Sequence, residues 1–334
     1  MHTFFKKIAK DIYQVQLPLP FALRIVNVYL VQGEHGWTIF DTGLNLPEAR
    51  ERWIAAFDAL GISADGIQQI ILTHYHPDHY GLAGWLQAYT GETGHAPVPV
   101  KMSARDAELA DEIWRHKKDQ VQMLHRYFLE CGMPETLSHE LTRDIQKLQA
   151  LIEPQPQKIE HLEPGETLDI GRYRFQILHT PGHSDGHLIF WDPHEKIALC
   201  GDHILLNITP NISQWPNTEA DPLGRYLDSL NRLAYLNVEI AFPGHGPNIE
   251  DWTGRLRELK QHHDERLSAM LEAVNGSTSI FQVSREVFEI DTLSHHEIRF
   301  AIAETRAHLE YLVKAGQLYH ENPGIWLYRR ATEV

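Results

Sequence analysis

The chain has 334 residues, 43% hydrophobic and 22% charged, the proportions of a soluble globular protein of about two domains. Lys plus Arg is 30 against 45 Asp plus Glu, a net charge of -15, which disfavours a protein whose main task is gripping nucleic-acid phosphates. Runs of about 18 apolar residues and a leader-like N-terminus are lacking, and two cysteines, Cys131 and Cys200, cannot make a disulfide framework, so a cytoplasmic protein with no membrane span is expected.

Residues 11–41 read as paired strands, with β-branched runs separated by a Gly-containing turn. Pro47 opens a helix whose apolar positions Trp53, Ile54, Phe57 and Leu60 fall at helical spacing. A strand at 69–73 runs directly into a histidine cluster, and a helix from Tyr80 to about Ala88 follows, with Asp78 placed to cap it. Residues 103–152 carry helical stripes and no strand signal, and read as a helical insertion. Short strands at 158–162, 167–170, 172–178, 187–191 and 196–200 then suggest a second half-sheet. A helix near 222–236 and a strand near 239–242 close a first domain at about residue 250. Residues 251–334 form a separate unit: a helix at 252–274, a helical stripe from Ile298 to Val313 capped at Gly316, and a hairpin around Glu321-Asn322-Pro323-Gly324.

The composition also holds 22 histidines, and their clustering invites a metal. The strongest feature is His74-Tyr75-His76-Pro77-Asp78-His79. In extended chain, residues two apart face the same way, so His74 and His76 can meet one ion while Tyr75 points inward. Asp78 and His79 sit where a helix begins and point back at the same spot. Three later segments repeat one device, a strand ending in a turn that presents a ligand: Thr180-Pro181-Gly182-His183, Cys200-Gly201-Asp202 and Pro243-Gly244-His245. His262-His263 and His295-His296 read as helix-surface residues and receive no metal. His179, His187 and His203 read as ordinary partly buried or surface histidines.

Taken in order, Asp41-Thr42-Gly43, the 74–79 cluster, His183, Asp202 and His245 resemble the metallo-β-lactamase superfamily over roughly residues 10–250. The resemblance implies an α+β fold, an αββα sandwich with metals at one rim of two packed sheets. It also implies a division of labour. His74, His76 and His183 bind one ion, Asp78, His79 and His245 the other, and Asp202 bridges both, with Asp41 nearby in support. Imidazole and carboxylate ligands suit two divalent ions, zinc first, with iron or manganese as alternatives. Such a pair activates a shared hydroxide for attack on a carbonyl or phosphorus, with Asp78 and Asp202 as the catalytic carboxylates. The Asp bridge places the chain beside glyoxalase II, lactonases and phosphodiesterases of this fold rather than true β-lactamases.

The expected function is therefore hydrolysis of a small-molecule ester, thioester or lactone. The alternative is a phosphodiesterase or ribonuclease using the same site, and a third class is a non-hydrolytic metal protein. The insertion is a candidate lid, its run Arg115-His116-Lys117-Lys118 reads first as a solvated helix face and second as a contact for an anion, and Trp215 in the loop 208–216 reads either as a pocket wall or as ordinary packing. The C-terminal unit resembles the winged-helix extension of β-lactamase-like protein 2 and its bacterial relatives. Acidic residues outnumber basic ones across it, so packing on the first domain or homodimer formation is expected rather than nucleic-acid binding.

Overall fold

The computed structural model describes residues 4–92 and 96–331, apart from the side chains of residues 117 and 118. The chain begins with four antiparallel strands, β1 (Phe5–Ala9), β2 (Ile12–Pro18), β3 (Ile25–Gln32) and β4 (Trp37–Phe40). Helix α1 (Pro47–Leu60) starts with Pro in its first turn and stops at Gly61, whose φ of 65° gives the left-handed cap. It crosses to β5 (Ile67–Ile71), which lies parallel to β4.

Two short helices follow, α2 (Pro77–Tyr80) and α3 (Ala83–Gly91). They replace the single helix expected from Tyr80. His76, not Asp78, is the N-cap of α2, so the Asp78 carboxylate is free to face the site. Strand β6 (Val100–Met102) is too short to show alternation in the sequence. The insertion comprises α4 (Ala104–Ala110), a π-type turn at Asp111–Arg115, α5 (Lys117–Glu130) and α6 (Glu135–Gln149). Strand β7 (Ile159–His161) pairs in parallel with β6 and ends the first sheet, in the order β1-β2-β3-β4-β5-β6-β7. The sequence pattern alone groups β7 with the second sheet. Partner choice is set by β6, a strand that the pattern does not reveal.

The second sheet holds β8 (Thr167–Ile170), β9 (Tyr173–His179), β10 (Leu188–Asp192), β11 (Ile197–Gly201) and, beyond α7 (Pro222–Leu233), β12 (Ile240–Pro243), in the order β12-β11-β10-β9-β8. Side chains alternate across a strand, so each strand serves two layers. On β11, Ile197 and Leu199 join Phe40, Ile71, Phe175 and Phe242 between the sheets. Ala198 and Cys200 face the other way, against Tyr226 and Leu230 of α7. The first sheet does the same with Trp53 and Phe57 of α1. Helix, sheet, sheet, helix is the resulting order of layers, the αββα sandwich expected from the sequence.

Helix α8 (Trp252–Ala273) joins two cores. Trp252, Leu256 and Leu259 pack with α7, whereas Met270 and Ala273 pack with the C-terminal segment. This segment comprises β13 (Thr278–Ser279), α9 (Ile280–Phe288), α10 (His295–Lys314), β14 (Leu318–Glu321) and β15 (Leu327–Arg330), with the three strands in the order β13-β15-β14. Its core is not its own. Leu124, Tyr127, Phe128, Leu141 and Ile145 of the insertion are buried in it with Ile280, Ile302 and Leu309. The insertion and the C-terminal segment thus share one apolar core, which anchors the insertion as a wall. Among the described residues no helix is long and apolar enough to cross a membrane.

Candidate metal centre

All seven residues singled out in the sequence follow strands, and the fold brings them together at one rim of the sandwich. The 74–79 cluster follows β5, His183 follows β9, Asp202 follows β11 and His245 follows β12. They form two adjoining groups of potential ligands: His74, His76 and His183, and Asp78, His79, Asp202 and His245. Nδ1 of His76 lies 2.9 Å from Nε2 of His183. Asp202 faces both groups, with Oδ1 3.3 Å from Nε2 of His79 and Oδ2 3.2 Å from Nε2 of His245 and 3.8 Å from Nε2 of His183. Oδ2 of Asp78 lies 3.2 Å from Nε2 of His245.

Outward hydrogen bonds fix which nitrogen faces in. Nδ1 of His245 donates to the Ile25 carbonyl at 2.8 Å, and Nδ1 of His183 to the Asn211 carbonyl at 2.9 Å. A carbonyl only accepts, so each Nδ1 carries a proton and each Nε2 is the nitrogen left to face the site. The Asp41 carboxylate does the same for two more rings. It accepts from Nδ1 of His79 at 2.8 Å, from the Thr73 N–H at 2.8 Å and from the Thr73 hydroxyl at 2.9 Å. The Thr73 hydroxyl, its one proton given to Asp41, must accept from Nδ1 of His74 at 2.9 Å. Carboxylate and hydroxyl supports of this kind orient metal-binding imidazoles.

The inward atoms are orphans. Nε2 of His74, His79 and His245 and Oδ1 of Asp202 are buried without a hydrogen-bond partner. Native proteins rarely leave buried polar atoms so, unless something else completes them. Burial and the neighbouring imidazoles push the pKa of His74 far down, and burial also lowers His76 and His183, so these rings are neutral. Burial opposes charge on His79 and His245 as well, yet Asp202, Asp41 and Asp78 raise His79 well above the usual range, and Asp202 and Asp78 raise His245 to about 10. A field that holds protons on those nitrogens also holds a cation between them. The chemistry, burial and tautomers of these residues fit divalent metal ions.

Glycines let the carboxylate sit so close to the rim. A Cβ at Gly244 would lie 2.2 Å from Oδ1 of Asp202, and Gly201 combines a φ of +48° with a Cβ position 2.6 Å from Oγ1 of Thr73.

The sequence profile of the metallo-β-lactamase superfamily matches residues 22–245, most of the chain and the span that holds all seven residues. The chain belongs to the metallo-β-lactamase superfamily. A second profile, the metallo-β-lactamase-like C-terminal domain, matches residues 267–331. A probable metallo-hydrolase, YqjP, of Bacillus subtilis is 27% identical over 91% of this chain and 92% of its own. The crystal structure of a metallo-β-lactamase family protein from Thermus thermophilus superposes with a TM-score of 0.86 at 33% identity, over 97% of this chain and 100% of that one. A β-lactamase domain protein from Burkholderia ambifaria gives a TM-score of 0.86 at 27% identity, over 98% and 94%. With this membership and this donor set, the protein is a metal-dependent hydrolase of the metallo-β-lactamase superfamily.

Several supports of the superfamily site were not visible in the sequence. Asn27 and Tyr29 of β3 donate to the Pro243 carbonyl at 3.1 and 2.7 Å and so hold the His245 loop. Asp106 of α4, fully buried, accepts from the Tyr75 N–H, the Ser184 hydroxyl and the Gly186 N–H at 3.1, 2.7 and 2.6 Å. It ties the 74–79 segment to the His183 loop. The loop carrying Ile208, Asn211 and Trp215 lines the cavity at the site, as expected. Two surface readings are corrected. His263 is buried and lies 3.0 Å from His308, because it shares the apolar face of α8. His296 lines the cavity and stacks on Phe21 with ring centroids 4.2 Å apart. Arg115 of the basic run pairs with Asp111 at 3.1 Å rather than facing the cavity, and the side chains of Lys117 and Lys118 lie outside the described residues.

Asp41→Asn is expected to lower metal affinity by about 10–100-fold, the usual scale for a lost support behind a ligand. The new amide places an N–H₂ against Nδ1–H of His79, which favours the tautomer whose Nε2 carries the proton. Competition with a chelating dye measures it, and an unchanged affinity would remove Asp41 from the site.

Proposed function

We propose that the protein holds two zinc ions and hydrolyses a small-molecule carboxylic ester, thioester or lactone in the cytoplasm. His74, His76 and His183 hold one ion, and Asp78, His79 and His245 the other, with Asp202 between them. The nitrogen and oxygen donors suit zinc, while iron and manganese accept the same set. When bound, the ions lower the pKa of coordinated water toward neutrality and polarise the scissile carbonyl. Asp78 borders the cavity and is placed to orient the nucleophile and pass on its proton. Burial opposes ionisation of Asp78, but His79 and His245 hold its pKa well below the carboxylate range.

The observation that carries the reading is the cavity. About 470 Å³ in volume, it opens onto His76, Asp78, His183, Asp202 and His245. Its walls are mainly apolar, with Phe21, Trp114, Leu124, Trp215, Phe288 and Leu293 drawn from the first domain, the insertion and the C-terminal segment. That size suits a small molecule and that lining suits an acyl body. A polyphosphate chain needs many cations, and Arg299 is the sole Lys or Arg among the described lining residues. The C-terminal segment, read as winged-helix-like, then serves as a wall of the cavity. Two buried free cysteines accord with a reducing compartment.

Initial rates of the metal-loaded protein on an aryl ester, a thioester, a lactone, an aryl phosphodiester and single-stranded RNA test this. Turnover confined to the acyl compounds is expected. Turnover confined to the phosphodiester or RNA would replace the reading with a phosphodiesterase.

A further inference from the structure

Helix α10 is fixed at its start by a capping box between Ser294 and Glu297. Ile298, Ala301 and Ile302 then face the core shared with the insertion. His296, Arg299 and Phe300 are offset from that stripe and line the cavity. The guanidinium of Arg299 lies over the Phe300 ring at 4.4 Å, and its Nη2 donates to Nδ1 of His296 at 3.2 Å. Burial, with Arg299 nearby, pushes His296 down to about 3, so that ring is a neutral acceptor. Arg299 has no carboxylate within ion-pair distance among the described residues, and most of its five N–H donors are uncommitted.

The acids of the cavity cannot supply that partner. Asp78 and Asp202 belong to the metal centre. Glu297 caps α10 at Ser294, and Glu304 accepts from Asn211 at 2.9 Å and lies 3.8 Å from Arg266. Burial lowers Arg299 to about 10, with Asp78 the first carboxylate opposing the fall, which still leaves it charged at neutral pH. A cation held in an apolar cavity without a counter-ion is costly, and a ligand anion removes that cost.

We propose that Arg299 is the anion-recognition residue of this cavity, so that the substrate is an apolar acyl compound carrying an oxyanion such as a carboxylate. This rests on the acyl-hydrolase reading of the metal centre. The scissile carbonyl lies at Asp78 and Asp202, the apolar body lies against Trp114 and Leu124, and the oxyanion lies on the α10 side.

The test uses three aryl esters of matched size with the metal-loaded protein. One bears a carboxylate at the far end of the acyl chain, one a methyl ester there, and one a carboxylate on the leaving group. Wild type is expected to prefer one of the anionic esters over the neutral one by about tenfold or more in kcat/KM. Which anionic ester wins tells whether the charge belongs to the acyl or the leaving side. Arg299→Gln is expected to collapse that preference by about 10–100-fold, and Arg299→Lys to retain part of it. Equal rates on charged and neutral esters in wild type, or a preference that survives in Arg299→Gln, would overturn the proposal. Binding of monoethyl suberate against diethyl suberate, followed by tryptophan fluorescence, separates the two readings. If no ester turns over but the half-ester binds in an Arg299-dependent way, the acyl chemistry fails and the anion site stands. If esters turn over while half-ester binding is unchanged in Arg299→Gln, as for a carboxylate sitting on the metal, the anion site fails and the acyl chemistry stands.

Discussion

Asp202→Ala is expected to lose turnover by on the order of 10³-fold or more and to bind clearly less metal than wild type. Among the described residues, Asp202 is the only carboxylate whose oxygens approach both candidate ligand groups, at 3.3 Å from His79, 3.2 Å from His245 and 3.8 Å from His183. Removing it leaves the histidines facing one another with one fewer negative charge to hold a cation. Asp78 does not replace it, since among these rings it lies within ion-pair distance of His245 and, at 4.0 Å, of His79. Elemental analysis after dialysis and initial rates on the best substrate of the panel give the two readouts. A thermal unfolding curve taken beside them shows whether the fold is kept. Full metal and full activity in the variant would sink the assignment of Asp202 as the shared ligand.

The candidate metal ligands were legible because each is announced locally. A ligand at the end of a strand needs a turn immediately before it, and turns have chemistry that a sequence displays: Pro77 before Asp78, Gly182 before His183, Gly201 before Asp202 and Gly244 before His245. The layered fold was legible for a similar reason, since the continuous apolar runs of β10 and β11 mark strands buried on both faces and the helical stripe of α1 names its buried side.

What stayed hidden depends on partners far away in sequence. Nothing near Asn27 shows that it will hold residues 243–246, more than 200 positions on. The stripes of α5 and α6 show that these helices have an apolar face, but not that the face belongs to α9 and α10. The sequence therefore shows an insertion placed to border the site, but not that its helices also form half of a second core. His263 was recoverable. It continues the spacing Trp252, Leu256, Leu259 at four, three and four residues, and that register alone puts it inside. Arg299 was not, because α10 carries balanced charges and only the cavity distinguishes this one.

Asp106→Ala is expected to destabilise the protein more than Asp41→Asn, Asp202→Ala or Arg299→Gln, by roughly 3 kcal/mol. Ser103-x-x-Asp106 at the start of α4 reads locally as a capping sequence, and Ser103 does accept from the Asp106 N–H at 3.2 Å. The carboxylate itself does something else. It is the shared acceptor for two backbone N–H groups and one hydroxyl from segments about 110 residues apart, Tyr75 on one side and Ser184 and Gly186 on the other. Alanine strands three buried donors at once. Two of those donors flank His74, His76 and His183, so the ligand group they carry loosens as well, and metal affinity should fall with stability. The neighbouring Asp185 is braced separately by Arg105 and Arg225, so the loop keeps its path and the variant still folds. Burial raises the Asp106 carboxyl to about 7 despite its three donors. Its folded pKa lies above the unfolded value, so the stability it contributes is complete at low pH. That contribution is lost as the pH climbs from about 4 to about 7. Asp106→Asn cannot titrate, keeps one acceptor oxygen and should restore part of the stability while flattening this slope relative to wild type. Urea midpoints for the three proteins at pH 5 and pH 8 measure both effects. Equal midpoints for wild type and alanine would mean that the two segments are held without Asp106.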